Sequence, residues 1–327
     1  MDAAPGFITA PTPRFVELFT PDDAAVRAEI AAGLLATPAS VAPKYFYDAL
    51  GSRLFEAITA LDEYYPTRTE AAIFAQHARD MAALCAGCDT LIDLGAGNCD
   101  KAARLLPLLQ PAQYVAVDIS VAFVRDALNA LQRRFEHIDM LGVGADFSAQ
   151  LTLPDTVRRD GRLFFYPGSS IGNFAPADAL RFLRRVHAAC GERGALLIGV
   201  DLVKPTPVLD AAYDDALGVT AAFNLNVLRH VNALLGTDFA LRDWQHVALY
   251  DAAQARIEMH LQARLDVSVR WPGHARRFAA GERLHTENSY KYTVPGFTAL
   301  LRDAGFAAPQ HWCDAQGWFG VFVARSA

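Results

Sequence analysis

The sequence lacks the features that would mark a membrane protein, a zinc enzyme or a nucleic-acid-binding protein. Its longest apolar runs, such as Ala195 to Val203, end well short of the roughly 20 residues that a membrane span needs. Its nine histidines show neither HExxH nor another zinc-like spacing, so we predict no metal. Lys and Arg total 30 against 36 Asp and Glu, and this net charge of −6 disfavours a nucleic-acid partner. The first residues, Met1 to Pro5, lack the regions of a signal peptide, so we expect a cytoplasmic protein. We also expect it to be a monomer.

Disulfides are not expected either. Five cysteines are an odd number in a large chain that is 52% hydrophobic, which indicates reduced thiols. Cys85 and Cys88 have CxxC spacing but no second pair, so the simpler interpretation is two small residues that close a helix. With 327 residues, the chain has room for two domains or for one domain with a large insertion.

An alternation of strands and helices begins at Thr90 and predicts an α/β fold with a doubly wound parallel sheet. Before it, residues 1–88 are expected to be helical, with one helix over Asp22 to Leu35 and another over Lys44 to Ala60 that breaks at Gly51 and Ser52. The predicted strands are 90–93, 114–118, 141–145, 163–167 and 195–201, and the helices between them are 101–109, 122–135 and 176–189.

After Asp201 the pattern changes, which indicates an inserted α+β unit. We predict a single helix over Val208 to Leu235, then long strands over 246–250, 255–270 and 275–293. A last helix over 297–304 and a hairpin would return to the sheet as an antiparallel edge. The predicted domains are therefore a ligand-binding unit of 1–203 and 291–327, and an inserted substrate-binding unit of 204–290.

The stretch from Leu91 to Lys101 is typical of the ligand-binding end of a first parallel strand. An apolar run ends in Asp93, and the tight turn Gly95-Ala96-Gly97 follows it. Ligands of such sheets bind at the carboxyl edge, and glycines let the backbone approach them without a Cβ in the way. A dinucleotide site requires G-x-G-x-x-G, but the third glycine position is Asp100, so a dinucleotide oxidoreductase is disfavoured.

Side chains at the next strand ends favour S-adenosylmethionine as the ligand. Asp118 ends the second predicted strand, about 20 residues after the glycine turn, where a carboxylate can accept both ribose hydroxyls. Asp146 can accept from an adenine amino group while Phe147 packs on the base, and Lys101 can pair with a ligand carboxylate. For each aspartate, a helix cap or a turn is the alternative role.

Two further segments are ambiguous from the residues alone. The sequence YPGSSIGNF follows the fourth strand, where methyltransferases that act on bases place D/N-P-P-Y/F, and Asn173 there is either a cap residue or a ligand for a small polar substrate. Tyr64 and Tyr65 precede Pro66, which favours an extended, packed linker. Thr67 or Thr69 could then cap a helix that ends near Leu84.

Strings of residues spread over nearly the whole chain resemble the histidine Nα-methyltransferases of ergothioneine biosynthesis. EYYPTR and GSSIGN are the most specific of them. The strings that carry the resemblance are YFYDALGSRLFE (45–56), EYYPTR (63–68), GSSIGNF (168–174), DLVK (201–204), AYDD (212–215), FNLN (223–226), RIEM (256–259) and TENS (286–289).

The resemblance implies a class I methyltransferase-like, Rossmann-like sheet and an enzyme that methylates the α-amine of L-histidine three times, giving hercynine. The donor contacts that it implies are Gly95, Lys101, Asp118, Asp146 and Phe147. The substrate contacts that it implies are Tyr64, Asn173, Tyr213, Glu287 and Ser289, with Tyr47, Phe55 and Met259 lining the pocket. We assign proton acceptance, directly or through water, to Tyr47.

Chemistry supports these assignments, but alternatives remain. Glu287 and Ser289 lie two apart on a predicted strand and so share one face, where they could bond both nitrogens of an imidazole. Asn173 and Tyr213 could fix a carboxylate, and aromatic faces tolerate a quaternary cation. A methyltransferase for another amino acid is one alternative, and a non-catalytic protein that binds S-adenosylmethionine is the other.

Overall fold

The structure is a computed structural model, and it describes residues 12–18, 22–119, 121–148 and 150–326. The prediction made on Met1 to Pro5 lies outside these residues. The strands are β1 Arg14–Glu17, β2 Ala39–Ser40, β3 Thr90–Leu94, β4 Gln113–Asp118, β5 Asp139–Gly144, β6 Arg162–Tyr166, β7 Ala195–Asp201, β8 Trp244–Asp251, β9 Arg256–Ala263, β10 Val267–Trp271, β11 His274–Phe278, β12 Arg283–Tyr290, β13 Phe306–Cys313 and β14 Phe319–Ser326.

The α-helices of the described residues cover the faces and ends of these strands. They are α1 Asp23–Leu35, α2 Ala49–Thr59, α3 Tyr65–Leu84, α4 Asp100–Leu109, α5 Val121–Gln132, α6 Pro176–Cys190, α7 Thr206–Tyr213, α8 Val219–Leu235 and α9 Val294–Asp303. Short 3₁₀ turns add Pro43–Phe46, Ser170–Asn173 and Leu241–Asp243. No helix in the described part of the chain is both long and apolar enough to span a bilayer.

The large sheet confirms the predicted doubly wound, Rossmann-like α/β fold. Its strand order is β1-β5-β4-β3-β6-β7-β14-β13. The pairs β3–β4, β4–β5, β3–β6 and β6–β7 are parallel, whereas β14 runs antiparallel to β7. The central strands are buried along almost their whole length, since helices cover both faces of the sheet. The order reverses at β3, and a crevice forms at that point outside the carboxyl ends of the strands.

A second sheet of four strands stands opposite this crevice. Its order is β2-β12-β9-β8, and a separate hairpin of β10 and β11 extends from it. Helices α1, α2 and α8 pack together against it, and one hydrophobic core runs from Ile30 to Tyr65 and again from Leu209 to Leu284. The N-terminal helices therefore share a core with the inserted residues, and β12 reaches the crevice.

Several predicted elements are divided differently in the structure. The helix predicted over 208–235 is two helices, because Asp215 accepts hydrogen bonds from the N–H groups of Val219 and Thr220 and caps a new helix after Gly218, whose φ is +73°. The strands predicted over 255–270 and 275–293 each turn and become two. The five cysteines are free, as predicted.

The N-terminal segment also differs in detail. The break predicted at Gly51 and Ser52 lies at Asp48, which accepts a 2.6 Å hydrogen bond from Gly51 N and caps α2. Helix α3 already begins at Tyr65, so the predicted caps at Thr67 and Thr69 are wrong. Pro66 fits there because the first turn of a helix needs no internal N–H partner.

Candidate active site

A glycine loop joins β3 to α4 at the centre of the sheet edge. Gly95 and Gly97 adopt φ of +71° and +54°, which lie in the left-handed region that favours glycine. Gly95 N donates to Val117 O at 2.9 Å. Gly97 N donates to Asp118 Oδ2 at 3.0 Å, which fixes the carboxylate beside the loop. These two hydrogen bonds hold the loop against the end of β4.

The predicted adenine contacts lie across from this loop. A Cβ on Gly95 would lie 3.8 Å from the tip of the Phe147 ring, so the glycine keeps that gap open. Asp146 accepts from Ser148 N at 3.1 Å and lies 3.7 Å from the Lys44 ammonium. Asp146 therefore has the turn role that the sequence analysis gave as an alternative. The turn orients its carboxylate and leaves it compatible with a binding role.

Lys101 has a protein partner that the sequence did not predict. Its Nζ lies 2.6 Å from Glu70 Oε2, while Glu70 Oε1 accepts from Gly168 N at 2.8 Å. Glu70 is only 1% exposed, and a Cβ on Gly199 would clash with its Oε1. One buried carboxylate on α3 therefore connects α4 with the loop after β6.

The donor edge also holds a buried acid below the loop. Asp93 Oδ2 accepts from Tyr114 at 2.8 Å, whereas Oδ1 has no hydrogen-bond partner among the residues that the structure describes. Burial raises the pKa of Asp93 to about 7. The glycine loop, the carboxylate at the end of β4 and the facing ring fit a ligand with an amino-acid end and an adenosine end.

A pocket beside the donor edge collects the predicted acceptor residues from distant parts of the chain. It lies between the N-terminal segment, the loop after β6, helices α7 and α8, and strands β9 and β12. Its lining includes all eight of the predicted substrate-side residues, namely Tyr47, Phe55, Tyr64, Asn173, Tyr213, Met259, Glu287 and Ser289.

Aromatic rings form one wall of this pocket. The centroid of Phe55 lies 5.8 Å from that of Tyr47 and 6.2 Å from that of Tyr64, both edge to face. Phe223 lies 5.9 Å from both Tyr47 and Phe55, and Tyr213 lies 6.5 Å from Tyr64. Such a wall offers several ring faces to a cation.

Polar groups form the opposite wall. Glu287 Oε2 accepts from Asn173 Nδ2 at 3.2 Å, and Tyr213 lies 2.7 Å, oxygen to oxygen, from Ser289. Glu287 and Ser289 point into the pocket from the same face of β12, as the two-residue spacing predicts. The wall therefore offers a carboxylate, an amide and two hydroxyls to one small ligand.

Burial controls the ionisation of these groups. Burial raises the pKa of Glu287 to about 7, although Lys291 and the hydrogen bond from Asn173 oppose the shift. Burial, with Glu287 and Asp118 nearby, also raises the pKa of Tyr47 above its usual value. Tyr47 therefore remains a phenol, so the proton acceptance assigned to it from the sequence is narrowed to acceptance of a hydrogen bond.

Sequence reasoning did not assign four residues of the site. Phe223 and Asp201 line the pocket, Glu70 holds Lys101, and Lys291 contacts Ser289. Phe223 and Asp201 were visible only as members of the strings FNLN and DLVK. Lys291 continues the alternation of Glu287 and Ser289 by one further step, so the strand period was an available signal. Within the described residues no group of three or more His, Cys, Asp and Glu could hold a metal ion.

The family model and the curated relatives that match this chain name the same activity. Residues 26–326 match the family described as histidine-specific, S-adenosylmethionine-dependent methyltransferases. The chain is 42% identical over 306 residues to the histidine N-alpha-methyltransferase of Mycolicibacterium smegmatis, covering 92% of this chain and 94% of that protein. It is 39% identical over 313 residues to the protein of that name from Mycobacterium tuberculosis, with the same shares covered.

A fungal relative matches over a shorter part of its own length. The chain is 32% identical over 276 residues to ergothioneine biosynthesis protein 1 of Neurospora crassa. That match covers 81% of this chain and 31% of the fungal protein.

Proposed function

The chain belongs to the histidine-specific, S-adenosylmethionine-dependent methyltransferases, and from that premise we propose that it methylates the α-amine of L-histidine three times. The product would be hercynine, and the name of the Neurospora relative supports a place in ergothioneine biosynthesis. The assignment of the substrate depends on two residues on one face of β12. These residues, Glu287 and Ser289, line one pocket with Asn173 and Tyr213.

These four groups fit the two ends of histidine. Glu287 would accept from one ring nitrogen, and Ser289 would bond the other. Asn173 has a second amide hydrogen besides the one that Glu287 accepts, and it would bind the α-carboxylate beside Tyr213, whose hydroxyl donates to Ser289. A pocket that hydrogen-bonds a polar ring rejects analogues without those groups by up to about 10⁴-fold.

The donor residues would hold S-adenosylmethionine at the adjacent edge. We assign the ribose to Asp118, the adenine to Asp146 and Phe147, the close backbone approach to Gly95, and the donor carboxylate to Lys101. The bound donor supplies an activated methyl group on a sulfonium sulfur. The chain's contribution is to hold the amine nitrogen in line with that methyl, and alignment of this kind supplies much of an enzyme's acceleration.

The amine needs no strong protein base. An α-amino group has a pKa near 8, so a substantial fraction is neutral at physiological pH. Because Tyr47 stays protonated, we assign it a hydrogen bond from the amine, directly or through water, which orients the nitrogen lone pair. The rings of Tyr47, Phe55 and Tyr64 would stabilise the growing quaternary cation, so binding would not weaken as methyl groups are added.

The test is a mass-spectrometric screen of the purified protein with excess S-adenosylmethionine against each amino acid. We expect a trimethylated product with L-histidine and none with the others. Accumulation of monomethylhistidine would refute the triple transfer. Preference for another amino acid would refute the ring assignment, and binding of the donor without turnover would identify a non-catalytic protein instead.

Three broader expectations accompany this function as proposals. We propose that the enzyme is a cytoplasmic monomer that needs no metal. We propose that it acts on a small molecule and has no nucleic-acid or membrane partner, as its negative net charge favours. We also propose a donor-binding unit (1–203 and 291–327), whose helices α1 and α2 pack on the other unit, and an inserted acceptor-binding unit (204–290).

A further inference from the structure

A buried cluster of charges lies directly behind the acceptor pocket. Lys204 and Lys291 both pair with Asp201, at 2.6 and 2.8 Å, and all three side chains are at most 1% exposed. The Tyr65 hydroxyl donates to the same carboxylate at 2.7 Å. Two cations share one anion, so the cluster carries an excess positive charge beside the substrate-binding hydroxyls.

Lys291 alone of the two lysines reaches those hydroxyls. Its Nζ lies 3.0 Å from the Tyr213 oxygen and 2.8 Å from Ser289 Oγ, in addition to its bond to Asp201. An ammonium has three donors and no acceptor. The three contacts therefore use every hydrogen of Lys291, and both hydroxyls must accept from it.

Lys291 also keeps its charge in this environment. Burial works against the ammonium, but Asp201 and Tyr213 outweigh it and hold the pKa of Lys291 above its usual value. Lys204 is different, because burial lowers its pKa to about 8. Lys291 is thus the more persistent cation of the pair, and its hydrogens stay available to both hydroxyls.

We propose that Lys291 is a positioning residue that fixes Ser289 as a hydrogen-bond donor toward the substrate. The proposal rests on the proposed function. A hydroxyl has two acceptor sites, and Ser289 Oγ uses one for Lys291 and the other for the Tyr213 hydroxyl. Its own hydrogen then faces the ligand. Ser289 must meet a ring nitrogen without hydrogen, while Glu287 meets the nitrogen that carries one, so the pocket selects one neutral tautomer of the imidazole.

The test compares L-histidine with the two pyrrolylalanine isomers, in which one ring nitrogen is replaced by C–H and the other keeps its hydrogen. The measured quantity is the ratio of kcat/KM for histidine to that for the better isomer. In the wild type, the isomer leaves the Ser289 hydrogen unpaired, so the ratio should exceed about 10. In Lys291→Met neither hydroxyl accepts from an ammonium, so the Tyr213 hydrogen can turn away from Ser289 and the Ser289 hydrogen can go to the Tyr213 oxygen instead. The ratio should then fall at least about fivefold.

Lys204→Met is the matched control, because it also leaves Asp201 with one lysine but touches neither hydroxyl. It should keep the wild-type ratio, whatever it does to stability. An unchanged ratio in Lys291→Met, or an equal fall in Lys204→Met, would overturn the proposal.

If Lys291→Met does not fold, Ser289→Ala provides a second route. Removal of the donor must abolish discrimination against the isomer, and a Ser289→Ala enzyme with the wild-type ratio would also overturn the proposal. A wild type that leaves histidine unmethylated would instead refute the proposed function, which separates the two failures.

Discussion

At the scale of single residues, Glu287 is expected to decide which amino acid is methylated. Its carboxylate is buried, accepts from Asn173 and shares a face with Ser289. Loss of a buried hydrogen bond to a charged group costs about 1.5 to 3 kcal/mol. Glu287→Ala should therefore lower kcat/KM for histidine by on the order of 10- to 100-fold, with a smaller effect on the KM for the donor, as steady-state kinetics would show.

Asn288 offers a matched control on the same strand. It points to the opposite face, where its Oδ1 lies 2.9 Å from His285 Nε2. Asn288→Ala should leave histidine kinetics close to those of the wild type. Full histidine activity in Glu287→Ala, or an equal loss in Asn288→Ala, would contradict the assigned role.

The raised pKa of Glu287 predicts a pH-dependent cost in stability. Its pKa is about 7 in the folded protein against 4.5 for the unperturbed group, so the folded state binds more protons between these values. The free energy of unfolding therefore falls as pH rises through this window. Glu287→Gln should be more stable than the wild type at pH 8, by on the order of 1 to 3 kcal/mol, and the difference should shrink toward pH 5 in denaturant titrations.

A carboxylate with the opposite shift gives the control. Burial works against the charge of Glu258, but Arg256 and His260 hold its pKa below the usual value. Glu258→Gln should therefore be less stable than the wild type at pH 8. A gain for Glu287→Gln that does not vary with pH would show that the gain comes from something other than ionisation.

Residue spacing predicted the polar pair of the site but not the charges behind it. The alternation of Glu287 and Ser289 follows from the strand period alone. Lys291 obeys the same period, but its role depends on Asp201, which is 90 residues away in the chain and close only in the fold. The ion pair of Glu70 and Lys101 could not be predicted from spacing either, since it joins two different helices.

At the scale of elements, the start of α2 connects stability to the pocket. Asp48 accepts from Gly51 N at 2.6 Å and from Asn226 Nδ2 at 2.7 Å, so it caps α2 and ties it to α8. Asp48→Ala should cost about 2 kcal/mol of unfolding free energy. It should also raise the KM for histidine, because α2 carries Phe55, and denaturant titration with steady-state kinetics would measure both.

Asp22 is the matched cap in α1. Its Oδ1 accepts from Ala24 N at 2.9 Å on an exposed surface. Asp22→Ala should cost about 1 kcal/mol and should leave the KM for histidine unchanged. If both variants lose the same stability and keep the same KM, the bond between Asp48 and Asn226 does not couple the two helices.

Helix and strand positions followed from local pattern, but their divisions did not. Helical periodicity continues across Asp214 to Gly218, so it predicted one helix where the cap at Asp215 starts a second. Alternation likewise continued through the turns between β9 and β10. Capping and turns depend on one or two residues, whereas periodicity is judged over many residues. Periodicity therefore did not show where one helix or strand ends and the next begins.

At the scale of the whole molecule, the N-terminal helices α1 and α2 pack on the acceptor side. Phe46 is fully buried, and its ring stacks on Phe223 with centroids 4.5 Å apart. Strand β2 pairs in parallel with β12, whereas β1 pairs with β5 of the large sheet. The sequence assigned residues 1–88 to the donor side, because helical periodicity shows which face is apolar but not which core it meets.

This arrangement predicts that changes in the acceptor-side core affect the KM for histidine, whereas changes in the core of the large sheet affect the KM for S-adenosylmethionine. Phe46→Leu loosens the core beneath Phe223 and should raise the KM for histidine, with little change in the KM for S-adenosylmethionine. Val117→Ala loosens the strand whose carbonyl accepts from Gly95 N, and should do the reverse. Each should cost about 1 to 3 kcal/mol of stability, so a general loss of folding cannot explain opposite effects on KM. If each variant raises both KM values together, the cores act as one cooperative unit, and the acceptor pocket cannot be adjusted independently of the donor edge.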